Sequence, residues 1–255
     1  MFITVTSGKQ DPCDFTSNFI DSIDIHDGYE VALAGIYHGP VYNIVERNSR
    51  VTLIKGASEI KEYYIPPGFY ESSTQVMYAI YHTLAQNLGR VVSIMPEIKY
   101  KPDDGICSIK LKDHNVNFLV KPDRDHDASL LNQFGYYNFE KIKSIECHHF
   151  IMGTNVQPTF IYSNIVSNSI VDDRESRLLT CVPLQTDVGY SYYEFNNPSY
   201  HPLRVNSFTD ISFQMRDVHG ELVRIKHMEK YHWETDNVIV YPTIMILHVR
   251  KRSIG

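Results

Sequence analysis

At 255 residues, 43% of them apolar and 21% charged, the chain can bury a sizeable core and does not have the composition of a disordered protein. Its net charge of −6 argues against a dedicated nucleic-acid binder, which needs clustered Lys and Arg to neutralise phosphates. The 18 Tyr and 12 Phe beside a single Trp lean toward half-buried strands and subunit interfaces, because tyrosine joins a large ring to a hydroxyl.

The first predicted strand covers 2–6, where Ile3 and Val5 alternate with Phe2, Thr4 and Thr6 until Gly8 ends it. Residues 29–37 are apolar on both faces, as in a strand covered on both sides, and Gly39-Pro40 breaks the run. Shorter strands are predicted at 51–54 and 63–65. The clearest helix follows. Ser72 and Gln75 have the spacing of a capping box, and Val76, Met77, Ile80, Tyr81, Leu84 and Leu88 then recur at helical spacing up to Gly89. Such a stripe belongs to a core.

Strands resume at 91–94, 106–111 and 116–120, and a short helix is predicted over 128–134, entered at Asp127 and closed by Gly135. The second half reads as almost pure strand, at 159–166, 178–183, 190–195 and 203–205. The cleanest alternation lies at 211–216, with Ile211, Phe213 and Met215 on one face. Asp217-Val218-His219-Gly220 supplies turn chemistry and 222–225 a returning strand, which together predict a hairpin. An apolar strand at 243–249 closes the series. So many short strands, without the βαβ rhythm of a parallel sheet, predict an all-β sandwich or barrel with one amphipathic helix at about 72–88.

The four cysteines, Cys13, Cys107, Cys147 and Cys181, form no C-x-x-C pair, and no usable glycosylation sequon occurs. The opening MFITVTSGKQ lacks signal-peptide regions and no apolar run approaches the ~20 residues of a membrane span. These features predict a protein of the cytosol or nucleus with reduced thiols.

Several segments together carry a family likeness: EVALAGIYHGPVYNI (30–44), YYIPPGFYESSTQVMYAI (63–80), LLNQFGY (130–136), FIYSNIV (160–166), RLLTCVPL (177–184), YHPL (200–203), ISFQMRDVHGELV (211–223) and IMILHVRKR (244–252). In that order they resemble the minor capsid, penton-like, proteins of Polinton/Maverick elements and adintovirus-like viruses, over nearly the whole chain. Members of that family often carry a cysteine and an acidic residue where this chain has Ser163 and Asn164, a departure from the pattern. The resemblance implies a jelly-roll fold and a shell-building role at the vertices of a virion assembled in the host nucleus or cytoplasm. It also implies two partners, further copies of the chain (as a pentamer) and a larger double-jelly-roll major capsid protein.

Two architectures fit the strand count. In one, residues 1–45 and 159–255 make a single jelly roll, and 46–158 are an inserted β region carrying the helix. In the other, two lean jelly rolls divide near residue 150, within the stretch 147–158. The first is preferred, because a terminal strand beside the first strand in a sheet explains the apolar character of 243–249.

Sites of chemistry are sparse. No His-x-His metal pattern occurs, and Cys147-His148-His149 are adjacent, so a strand would point them to opposite faces. His227 and His232, near Trp233, have no supporting ligand pair. Asp103-Asp104, 123–127 and Asp172-Asp173 read as solvated loop charges, and Cys181 lies in an apolar strand. With no nucleophile elbow and no phosphate loop, no catalytic, metal or cofactor residue is assigned and no enzyme activity is expected.

Two interaction features are assigned instead. Tyr190, Tyr192 and Tyr193 form a candidate interface, and Arg250, Lys251 and Arg252 a candidate genome-facing tail with at most weak nucleic-acid contact. The competing reading is a jelly-roll module that binds a ligand or glycan without assembling.

Overall fold

The computed structural model describes residues 1–25, 28–57, 59–88, 96–101, 106–120, 130–136, 138, 140–147, 157–171, 174–184, 189–226, 228–230 and 238–252. The predicted strand at 91–94 lies outside them, as does the entry of the second predicted helix at Asp127. The chain divides into two compact units, Met1–Val41 with Asn155–Gly255, and Tyr42–Thr154.

The strands run in chain order as β1 (Phe2–Thr6), β2 (Asp14–Asp24) and β3 (Tyr29–His38) in the first unit. The second unit carries β4 (Arg50–Lys55), β5 (Glu59–Tyr64), the helix α1 (Ser73–Asn87), β6 (Glu97–Lys101), β7 (Ile106–Lys110), β8 (Val116–Val120), β9 (Glu140–Ile142) and β10 (Ser144–Cys147). The chain then returns to the first unit through β11 (Gln157–Ser163), β12 (Ser169–Val171), β13 (Arg174–Ser176), β14 (Leu178–Leu184) and β15 (Ser191–Glu194). It ends there with β16 (His201–Pro202), β17 (Ser207–Arg216), β18 (Met228–Lys230), β19 (Val238–Val240) and β20 (Ile244–Lys251).

The first unit is a jelly-roll sandwich. One sheet has the order β1-β20-β3-β15, with β16 also pairing β3, and the other has the order β2-β17-β11-β14. Every pairing is antiparallel, and the chain passes from sheet to sheet in the wrapped order of two Greek keys. Ile3, Val5, Val31, Leu33, Met245 and Leu247 from the first sheet meet Phe15, Ile161, Leu179, Ile211, Phe213 and Met215 from the second in one buried core. Because β20 lies between β1 and β3, its side chains Met245, Leu247 and Val249 are buried, which accounts for the apolar end of the sequence.

Four departures from the sequence reading have physical causes. The 11-residue β2 was not anticipated, because DFTSNFIDSID is polar at most positions and only Phe15 is fully buried. The predicted hairpin at 211–225 reverses as expected at Asp217–Gly220, where Gly220 has φ 78°. Its return, however, holds to β17 by an isolated bridge, Arg216 to Leu222, because β17 is already flanked by β11 and β2. The predicted strand at 203–205 reduces to a bridge from Leu203 to Val166 beside the short β16. The predicted helix at 128–134 is a 3-10 turn over Leu130–Phe134, closed by Gly135 at φ 88°.

The second unit has a four-stranded sheet, β5-β4-β8-β9, and a three-stranded sheet, β10-β7-β6. Helix α1 buries Val76, Met77, Ile80 and Leu84 with Leu53, Ile109 and Phe118 in a core of its own. The Ser72 hydroxyl accepts the Gln75 amide at 3.3 Å and caps the helix. The reciprocal half of the capping box is displaced by one residue, since Gln75 Oε1 accepts from Glu71 N at 2.9 Å. Between β9 and β10, the Lys143 ammonium donates to the carbonyls of Asp113 at 3.0 Å, His114 at 2.7 Å and Val116 at 2.5 Å.

Candidate interaction surfaces

Tyr192 and Tyr193 are on β15 and Tyr190 immediately precedes it; among the described residues β15 is an edge strand paired with β3. Tyr192 lies opposite Tyr37 in the ladder, and their rings stack with centroids 4.2 Å apart. Tyr190 also stacks with Tyr37 at 5.9 Å and leans against Tyr241 at 6.2 Å. Tyr193 stands apart, edge-on to Phe195 at 4.9 Å. Tyr190 and Tyr192 are therefore brought together through Tyr37, and Tyr193 is not part of the stack.

The backbone makes room for this stack. A side chain at Gly35 would stand 3.0 Å from the Tyr192 ring, so glycine there lets the ring lie across the sheet. The Tyr190 hydroxyl donates to the Pro242 carbonyl at 2.5 Å, and burial together with the neighbouring Tyr37 pushes it up to about 12. Tyr190 is nevertheless 42% exposed and Tyr192 45% exposed, so the stack presents ring area to solvent. Tyr37 and Tyr241 were missed in the sequence. Strict alternation from Val31 and Leu33 would have turned Tyr37 inward. The irregularity at Ala34, between the pairs Leu33–Leu247 and Gly35–Ile246, puts Ile36 in the core and Tyr37 outside, and Tyr241 precedes β20 and carries no periodic signal.

At the other end of that sheet, Arg250 is engaged. Its Nε donates to Glu30 at 2.7 Å, and its guanidinium carbon lies 3.4 Å above the Tyr200 ring. Lys251 and Arg252 are exposed, and the Arg252 amide donates to the Gly28 carbonyl at 2.7 Å. The basic run is thus a strand end with two outward cations. Beside it, Phe2 stacks on His248 at 4.6 Å and is 66% exposed.

The outer side of the second sheet carries a groove of about 510 Å³. Its lining includes Tyr162, Asn164, Gln214 and Arg216 from the sheet region and Glu175 and Arg177 from the segment holding β13. Asn164 donates to Asp210 at 2.8 Å and accepts the Ser212 amide at 2.9 Å, which fixes its amide at the groove wall.

Among the described residues, no group of three or more His, Cys, Asp or Glu side chains converges as a metal site. Cys147 is buried opposite Cys107 across β10 and β7; both thiols are free and are raised by burial. Cys181, read as lying in an apolar strand, is exposed on β14, although partial desolvation raises its thiol. His148, His149, His227, His232, Trp233, Asp103-Asp104, 123–127 and Asp172-Asp173 lie outside the described residues. Among the described residues, no helix is long and apolar enough to cross a membrane.

No protein-family model and no curated protein matches the chain. Among solved structures it is similar to the mavirus penton protein, with 14% identity, a TM-score of 0.52, and 98% of this chain and 97% of that one covered. The chain shares the fold of that protein. A chain in the structure of the Sputnik virophage matches more loosely, at 10% identity and a TM-score of 0.41, with 97% of each chain covered. The penton likeness runs over both units, so the elaborate second unit is included in the matched length.

Proposed function

We propose that the chain is a structural capsid subunit, the minor or vertex protein of a Polinton-like or adintovirus-like icosahedral particle. It acts by symmetric self-assembly, as a pentamer, and by docking to a larger double-jelly-roll major capsid protein. The observation that carries this reading is the near-complete coverage of both chains in the match to the mavirus penton protein. The wrapped sandwich also suits the role, because both sheets are spent on one core while edges and loops remain for neighbours. In this reading, residues 1–45 with 159–255 build the shell, and 46–158 are an insertion that adorns it. The function is geometric and needs no catalytic group. Lys251 and Arg252 offer at most a weak contact to an enclosed genome.

The test is the native mass of the purified protein at high concentration, alone and with the matching major capsid protein. A pentamer is expected. A monomer under both conditions overturns the proposal.

The groove beside Tyr162 favours a second reading, a ligand-binding or glycan-binding jelly roll that does not assemble. Saturable binding of a defined glycan by a monomer would establish it in place of the first.

A further inference from the structure

Two opposite edges of the sandwich hold most of the large apolar side chains that the first unit leaves exposed. Among the described residues of that unit these are Met1, Phe2, Ile20, Ile170, Tyr190, Tyr192, Tyr193 and Val218. Met1, Phe2 and Ile20 belong to the edge formed by β1 and β2, and the three tyrosines belong to the edge formed by β15 and β14. The strand orders β1-β20-β3-β15 and β2-β17-β11-β14 run side by side, so these are the two lateral ends of one sandwich. Ser17 Oγ on β2 donates to the Thr6 carbonyl on β1 at 3.0 Å, which ties the first of these edges together.

The two edges differ in relief and charge. On β2, Asn18 pairs with Asp210 and Ile23 with Phe208, so four residues of β2 bulge out against Thr209 alone. Ile20 is in that bulge and is fully exposed, at 102%; it is a knob. Around it Asp11, Asp14, Asp21 and Asp24 are all exposed, and no Lys or Arg occurs between residues 11 and 25. The opposite edge is a slab. Tyr190, Tyr37 and Tyr192 are held in a stack, so their rings lose little freedom on docking. β14 carries no charge, β15 carries only Glu194, and Pro183 on β14 has no N–H to extend the ladder.

We propose that these edges are the two halves of one head-to-tail contact between copies of this chain, with Phe2 and Ile20 of one copy seated against Tyr190 and Tyr192 of the next. The proposal rests on the capsid reading above and names the surfaces it uses. Closing a ring by rotation requires two different, complementary patches on opposite flanks, and the sandwich presents such a pair. An aspartate-rich edge set against its own copy would bring carboxylates together unpaired. Set against the tyrosine edge, it meets a nearly uncharged aromatic surface. Charge therefore selects the head-to-tail pairing over the self-pairing.

The experiment compares four forms of the full chain by native mass spectrometry: wild type, Phe2→Asp/Ile20→Asp, Tyr190→Asp/Tyr192→Asp, and Val218→Asp as an exposed site off both edges. Unchanged circular dichroism shows that each variant is folded. Wild type and Val218→Asp are expected to form the ring, and each edge variant alone is expected to be monomeric. Mixing the two edge variants is expected to restore a 1:1 dimer, because each keeps the half that the other has lost. Edge variants that assemble like a ring-forming wild type overturn this contact alone, as does a mixture that stays monomeric. A monomeric wild type overturns the capsid reading and the contact with it.

Discussion

The Tyr200 hydroxyl lies 2.6 Å from Nδ1 of His248, on the outward face of β20. A neutral imidazole with its proton on Nε2 accepts from the hydroxyl here, whereas an imidazolium can only donate to the hydroxyl oxygen. Burial holds the His248 ring below its ordinary value of 6.5, and the Met1 ammonium and Arg250 push the same way. His201 on β16 is also lowered by burial.

These shifts give the first unit an acid-sensitive stability. A histidine whose folded value lies below its unfolded value binds more protons when unfolded, so stability rises with pH through that interval. The contribution is complete above 6.5 and is lost as pH falls below it toward the folded values. Thermal melts are expected to shift downward between pH 7.5 and pH 5. His248→Gln, which keeps an acceptor for Tyr200 but cannot titrate, should flatten that dependence. An unchanged slope in His248→Gln would remove His248 as a cause.

Two glycines beneath the tyrosine stack predict opposite tolerances. A methyl group at Gly39 would stand 2.6 Å from the Lys226 carbonyl and 2.7 Å from Cβ of Tyr241, where backbone has to move. At Gly35 it would meet the Tyr192 ring at 3.0 Å, and an exposed ring on an edge strand can swing aside. Gly39→Ala should cost about 1–3 kcal/mol, as overpacking does. Gly35→Ala should cost less and instead alter the tyrosine near-ultraviolet dichroism. Urea denaturation of both variants checks the order, and equal losses would contradict it.

What the sequence disclosed follows from where side chains carry a regular signal. Ile211, Phe213 and Met215 alternate against polar neighbours, and α1 repeats its apolar residues every third or fourth position, so both elements could be read directly. The all-β sandwich-or-barrel class followed from that density of strands, and the jelly roll from the family resemblance. β2 stayed hidden because apolar Ile20 stands on the outward face and only Phe15, Phe19 and Ile23 mark the inward one, since an edge strand needs few apolar positions. The tyrosine stack was half legible. Tyr190 and Tyr192 are neighbours in sequence, but Tyr37 and Tyr241 join them only through the β3–β15 pairing and the turn before β20. The pairing of Arg250 with Glu30 joins residues 220 positions apart, which no local pattern announces.

The sandwich core makes a sharper demand at Phe213. It is fully buried on β17 and meets Phe15 of β2, the one fully buried residue of that strand, with ring centroids 5.4 Å apart. Phe213→Ala should therefore cost about 3–5 kcal/mol, from lost transfer energy and the cavity left behind. It should also loosen β2, whose other core contacts, Phe19 and Ile23, are only partly buried. Hydrogen exchange across 14–24 is expected to quicken more than across β20. Uniform quickening would show that β2 does not depend on this ring pair.

Lys143 predicts a loss that is polar in origin. Three backbone carbonyls, of Asp113, His114 and Val116, converge on its ammonium at the turn that leads into β8. The turn also carries its own bonds, from Val116 N to Asp113 O at 3.2 Å and from Asn115 N to Asp113 Oδ1 at 2.8 Å. Bonds from a charged donor contribute more than neutral ones, and the cost of losing them falls on acceptors left facing one another. Lys143→Met keeps most of the aliphatic stem and removes the donors, so its effect separates charge from packing. A loss of about 2 kcal/mol in the second unit is expected. Faster amide exchange should be confined to the turn and the first residues of β8. Lys143→Arg, which restores a donor but not a compact one, should recover only part of the loss, because a planar guanidinium cannot point at three carbonyls around one nitrogen. If Lys143→Met melts with the wild type and the amides at 115–117 exchange at the wild-type rate, water replaces the ammonium without penalty and the three bonds contribute nothing to the fold.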